Sequence, residues 1–111
     1  MARKKTSPLP VIRQGDVLLI PRASIPATAV PVQRDRGRVV LAYGEVTGHA
    51  HAIMEPEVEL LTADDARYLR VDRVSAQLQH EEHAVLDIPA GHYEVRTQRE
   101  YHPEAIRDVR D

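Results

Sequence analysis

The chain of 111 residues contains no cysteine, no phenylalanine and no tryptophan, and four tyrosines supply all of its aromatic content. Without cysteine there is no disulfide framework, no thiolate zinc site and no cysteine nucleophile. The core has to be assembled from Val, Leu, Ile, Ala and Tyr. No long apolar run is present, which argues against a transmembrane helix or a secretory signal. The basic Arg3-Lys4-Lys5 is followed by Thr6-Ser7-Pro8-Leu9-Pro10, where an apolar region would be needed. A soluble, cytoplasmic protein with no membrane contact is the expectation. Charge of one sign is also lacking: 15 Lys and Arg against 17 Asp and Glu leave a net charge of −2, so nothing draws the whole chain toward nucleic acid. No Ser-His-Asp order and no glycine-rich phosphate loop is found.

What is present is a series of short apolar or alternating segments separated by Gly, Pro and Asp. Residues 1–10 read as a disordered basic arm, 11–101 as a single β domain and 102–111 as a tail. Gln14-Gly15-Asp16 forms a turn into Val17–Ile20, a buried-strand pattern that Pro21 should stop. Prolines 26 and 31 keep residues 22–36 extended rather than helical. Arg38–Tyr43 is the clearest strand. Val58–Leu61 and Arg67–Val71 make a hairpin about Ala63-Asp64-Asp65. Val74, Ala76, Leu78 and His80 alternate onto one face, which turns His80 inward. His83–Ile88 is a further strand, ended by Pro89-Ala90-Gly91, and His92–Tyr101 is the last, with Tyr93, Val95 and Tyr101 opposite an all-polar face. Pro103, Glu104 and Arg107 suit the ends of a short C-terminal helix. The pattern predicts an all-β domain, a small barrel or sandwich of about seven short strands, with that helix appended.

The chemistry gathers in the histidines. In Gly44-Glu45-Val46-Thr47-Gly48-His49-Ala50-His51, the two imidazoles project from one strand face, roughly 6–7 Å apart along the strand. His80-Glu81-Glu82-His83 fits a tight connection that hangs two more imidazoles off adjacent strand ends. Four of the six histidines thus fall in two close pairs at strand ends, the beginnings of a site for a divalent metal ion. The leading ligands are His49, His51, His80 and His83, with Glu55 and His92 in reserve. Imidazoles suit Zn, Fe, Mn, Ni or Cu, and a carboxylate from Glu55 or Glu82 shifts preference toward the harder ions. Glu81 reads as part of a solvated acidic turn.

Gly44, His49-x-His51 and Glu55, followed by Ile88-Pro89-Ala90-Gly91-His92, resemble the two signature motifs of cupins. That resemblance implies a double-stranded β-helix around one metal, with His49, His51, Glu55 and His92 as ligands. His80 and His83 have no cupin counterpart. The chain is also similar to small β-rich bacterial and phage-associated proteins that share Gly-Glu-Val-Thr-Gly-His, His-Glu-Glu-His and Gln98-Arg99-Glu100-Tyr101 segments. No activity comes with that similarity.

Three functional classes follow. The first is a metal-binding, cupin-like β domain, able to act on a small molecule through a metal-bound water. The second is a non-enzymatic interaction module or homo-oligomer, using the polar face of 92–100, the proline-rich connection and the tail. The third, the weakest, is a nucleic-acid-binding sheet carrying Arg96, Arg99 and Tyr93 with the Arg3-Lys4-Lys5 arm.

Overall fold

The computed structural model describes residues 9–44 and 46–98. The basic arm up to Pro8, Glu45, and residues 99–111 with the expected C-terminal helix and the end of the Gln-Arg-Glu-Tyr segment lie outside the described residues.

The protein is all-β, as its alternating sequence requires: among the described residues eight strands join in one antiparallel sheet. They are β1 (Ile12–Gln14), β2 (Val17–Arg22), β3 (Val30–Pro31), β4 (Val39–Tyr43), β5 (Ala50–Ile53), β6 (Val58–Ala63), β7 (Ala66–His80) and β8 (His83–Thr97). Two-residue turns join β1 to β2 through Gly15-Asp16, β6 to β7 through Asp64-Asp65, and β7 to β8 through Glu81-Glu82. Gly15 and Asp64 sit at φ 58° and 54°, the left-handed conformation such tight reversals demand. The 63–65 hairpin and the His80/His83 connection stand where the alternation put them.

The length of the last two strands differs from expectation. Four short strands are replaced by two of 15 residues each, β7 and β8. Pro89-Ala90-Gly91 does not end a strand; β8 runs through it, with Pro89 opposite Ser75 and Gly91 opposite Val71. Asp72, Arg73 and Val74 of β7 face the single Ala90, so the hairpin bulges rather than breaks. The bulge moves the inward positions of β7 from Leu69 and Val71 to Ala76 and Leu78. Val74, expected inside, is consequently 92% exposed. Pro21 likewise does not stop β2, which continues to Arg22 opposite His92. β1 ends opposite Leu19, so at Pro21 one edge of β2 carries no ladder, and a residue without an N–H is tolerated.

The bend has a topological role. β8 occupies one edge of β7, so β6 and β5 share the other edge, β6 along Ala66–Val71 and β5 at Gln79. Side chains from both ends then fill one core, in which Leu19, Leu41, Ile53, Leu69, Leu78, Ile88 and Tyr93 are almost wholly buried. The Tyr93 hydroxyl donates to Pro89 O at 2.6 Å, satisfying a buried phenol across the bulged region. The Arg34 guanidinium donates to the carbonyls of Gly37, Glu55 and Val58 and so fastens the β5–β6 connection.

The bulge carries a direct test. Leu78→Ala is expected to cost about 2–5 kcal/mol, as for a buried leucine. Val74→Thr, on the outward bulge, should change stability by less than about 0.5 kcal/mol. Urea unfolding of both variants checks this, and comparable losses at the two positions would contradict the register.

A histidine-lined cleft as candidate functional site

Three chain segments deliver imidazoles to one end of the sheet. β5 is buried throughout, and its register places His51 opposite Ala42 of β4. His49 precedes it across a turn in which Gly44 N donates to His49 O and His49 N to Val46 O. His80 and His83 pair directly across the β7–β8 turn. The ring centroids of His51 and His80 are 4.2 Å apart, those of His80 and His83 4.7 Å, of His51 and His83 5.7 Å, and of His49 and His80 5.9 Å. Burial is graded: His51 is 6% exposed, His49 and His80 are half-buried, and His83 lies at the open rim.

Glu55 and His92 are not brought to this cluster. Glu55 lies in the β5–β6 connection beside Arg34, with Oε1 buried and unpartnered among the described residues. His92 stands midway along β8, opposite Arg22 and Arg70, with Nδ1 3.4 Å from Ala23 O. The ligand set implied by the cupin resemblance is therefore divided among three places. Tyr93 is wholly buried and Arg96 donates to Glu94 at 2.9 Å, so the sheet offers no Tyr93 ring for stacking on a base.

Gln14 was overlooked by the histidine reading, yet it organises the cluster. It is 3% exposed. Its Nε2 donates to Leu78 O and to Ala84 O, both at 2.9 Å. With both amide hydrogens spent on carbonyls, Oε1 has to accept, and it meets His51 Nδ1 at 2.9 Å. His51 is thus the Nδ1–H tautomer, with the Nε2 lone pair free. The signal was available: Ile12 and Gln14 share the inward parity of β1, and a polar residue there has to find buried partners.

Gly15 completes the wall. A Cβ on it would lie 2.8 Å from His83 Nε2 and 3.2 Å from His51 Cε1, so a side chain here would push the His83 ring aside, and the φ of 58° itself favours glycine. On the other side Glu81 Oε1 accepts Ala50 N at 3.0 Å, tying the His-x-His strand to the β7–β8 turn. That hydrogen bond holds the Glu81 carboxyl below the usual carboxylate range, and the residue is a tie rather than a merely solvated acid. Glu82 has two contacts: its N–H donates to His80 Nδ1 at 3.0 Å, and its Oε2 is 2.9 Å from His49 Nδ1, off the line of a hydrogen bond.

Burial pushes the His51 imidazole down to about 4, with the charges of His80 and His83 acting in the same direction and Asp16 and Glu81 opposing them. His51 is neutral at pH 7, the form that donates an electron pair. His80, accepting at Nδ1, keeps its proton on Nε2 when neutral. No three His, Asp or Glu side chains among the described residues are posed to grip a metal as they stand. Two imidazoles sharing a tetrahedral ion at 2.0–2.1 Å have centroids roughly 5 Å apart, a spacing the four rings bracket. For an ion to sit among them, His80 would have to give up the Glu82 N–H and the rings would have to turn.

The rings form one side of a cleft of about 620 Å³, whose other walls include Val40, Leu41, Ala42 and Tyr43 of β4, Gly44, Arg67 and Thr97. The described residues thus form an antiparallel β-sheet folded over a core, with a histidine-lined cleft at one end. Residues 13–98 match the family described as a domain of unknown function, DUF8820, and the chain belongs to that family. No curated protein and no solved structure matches it. Among the described residues no helix is long and apolar enough to cross a membrane.

The His51 environment predicts a pH dependence. The unfolded chain takes up this proton near 6.5, whereas the folded one does so only at about 4. Stability is complete above the higher value and falls as pH drops toward the lower, by at most about 3 kcal/mol. His51→Asn keeps a donor for Gln14 and removes the titration, so its unfolding free energy should vary less over that window. Urea titrations at pH 7 and 4.5 measure the difference. Gly15→Ala is expected to cost about 1–3 kcal/mol through left-handed strain and to displace the His83 ring, visible in its imidazole NMR signals.

Proposed function

We propose that this chain is a divalent-metal-binding β domain whose ion is held by His51, His80 and His83, with His49 available as a fourth imidazole. The observation that carries this reading is the convergence of rings from β5 and from both ends of the β7–β8 turn around a neutral His51. A buried histidine whose Nδ1–H is fixed by a second residue is how metal ligands are commonly oriented, because the partner sets the tautomer and aims Nε2. Gln14 fills that role for His51. A set of imidazoles favours Zn²⁺, Ni²⁺ or Fe²⁺ over Mn²⁺, since Glu55 is remote and Glu82 is engaged with His49. When bound, such an ion supplies Lewis acidity and lowers the pKa of a coordinated water. The protein's own contribution is a half-buried, polar cleft in which His83 faces the entrance and His51 the interior.

The test is elemental analysis of the protein purified without a histidine tag, followed by Zn²⁺ titration against a chromophoric chelator. One ion per chain is expected. His83→Ala, at an exposed position that should leave the fold intact, should weaken binding by about 10–100-fold. Sub-stoichiometric metal that is unchanged when His49 and His51 are both replaced by alanine would overturn the reading.

A further inference from the structure

The cleft that collects the imidazoles also contains a cation. Arg67 lies at the start of β7 with the parity of Leu69 and Val71, so its side chain enters from the core face. It is half-buried and lines the cleft. Nη1 donates to Leu41 O at 2.7 Å. Leu41 is the extra residue of a bulge in β4, between the pairs Val40–Ala52 and Ala42–His51. The guanidinium is therefore anchored one strand position from the residue paired with His51.

Arg22, Arg70, Arg73 and Arg96 each ion-pair with a glutamate, whereas no carboxylate pairs with Arg67 among the described residues. Of the acidic residues on the cleft wall, Glu82 is turned to His49, and Asp16 belongs to the Gly15-Asp16 turn, its carbonyl accepting Gln98 N. A guanidinium carries five N–H donors and keeps its charge at any ordinary pH. Capping the Leu41 bulge uses one of them. On the wall of the cleft that His51 also lines, which is within the size range of small-molecule sites, the others match the two oxygens of a carboxylate.

We propose that the cleft binds a small carboxylic acid with two anionic ends, one carboxylate taken by Arg67 and the other directed to the imidazole cluster. The second attachment rests on the metal reading above; the first does not. Arg67 is then the residue that selects an acid over a neutral molecule of the same shape.

The experiment is calorimetric titration of the full chain, with and without Zn²⁺, using succinate and its neutral diamide as probes. Wild type should bind succinate and not the diamide. Arg67→Gln should weaken succinate binding roughly tenfold or more, as expected for loss of a charge-assisted pair, while Zn²⁺ affinity stays within about twofold. Arg67→Lys, which keeps the charge but not the fork, should lie between them. Equal binding of succinate and diamide, no succinate binding to wild type, or Arg67→Gln binding succinate like wild type would each overturn the proposal. If Arg67→Gln fails to fold, the diamide comparison and Arg67→Lys still decide it. Arg67-dependent succinate binding in a protein that does not take up Zn²⁺ would support the Arg67 attachment and overturn both the metal reading and the second attachment.

Discussion

The amide of Gln14 is the constraint on which the cleft depends. One buried side chain reaches Leu78 on β7, Ala84 at the start of β8 and the ring of His51 on β5, and so fixes the β1–β2 turn against both histidine-bearing segments. An interior amide left without these partners would carry a desolvation cost, so the interactions stand or fall together. The same hydrogen bonds determine which nitrogen of His51 carries the proton. Local chemistry at one residue thereby sets both the packing of the site and the electron pair it offers.

The site forms where regular pairing gives way. The extra residue at Leu41 bends β4 and releases a carbonyl to which Arg67 Nη1 donates. Residues 72–74 bend the long hairpin so that β5 and β6 share an edge of β7 and face one core. Bulges commonly re-aim side chains in this way. Without the second, Ser75 and Gln77 rather than Ala76 and Leu78 would face inward, and His80 would turn from the cleft, because a one-residue slip exchanges the faces of a strand. Gly15 contributes from the other side by leaving out the Cβ that would strike His83.

Much of this was readable in the chain. Alternation in 74–80 gave the correct inward side for Ala76, Leu78 and His80, and the Asp64-Asp65 and Glu81-Glu82 reversals followed from their composition. The continuity of β7 and β8 was not readable, because a bulge and a strand break look alike in one sequence: Pro89-Ala90-Gly91 reads as punctuation unless its partner strand is known. The two histidine pairs, read from their spacing, do converge at one end of the sheet. Glu55 and His92 were attached by motif spacing, which carries no information about the bend that separates them from the cluster. Gln14 and Arg67 were missed for a common reason. Each is a polar residue at an inward position, and its role appears only when the strand that satisfies it is in place.

The central claim is that histidines from separate segments share one environment organised by a neutral His51. Long-range ¹⁵N–¹H NMR of the imidazoles, recorded from pH 4 to 8 and again after one equivalent of Zn²⁺, tests it most directly. The account predicts an Nδ1–H signature for His51 that persists to well below pH 6, and Zn²⁺-induced shifts shared by His51, His80 and His83 but absent from His92. Ordinary, independent titration of every histidine near 6.5, with no common response to the ion, would contradict it.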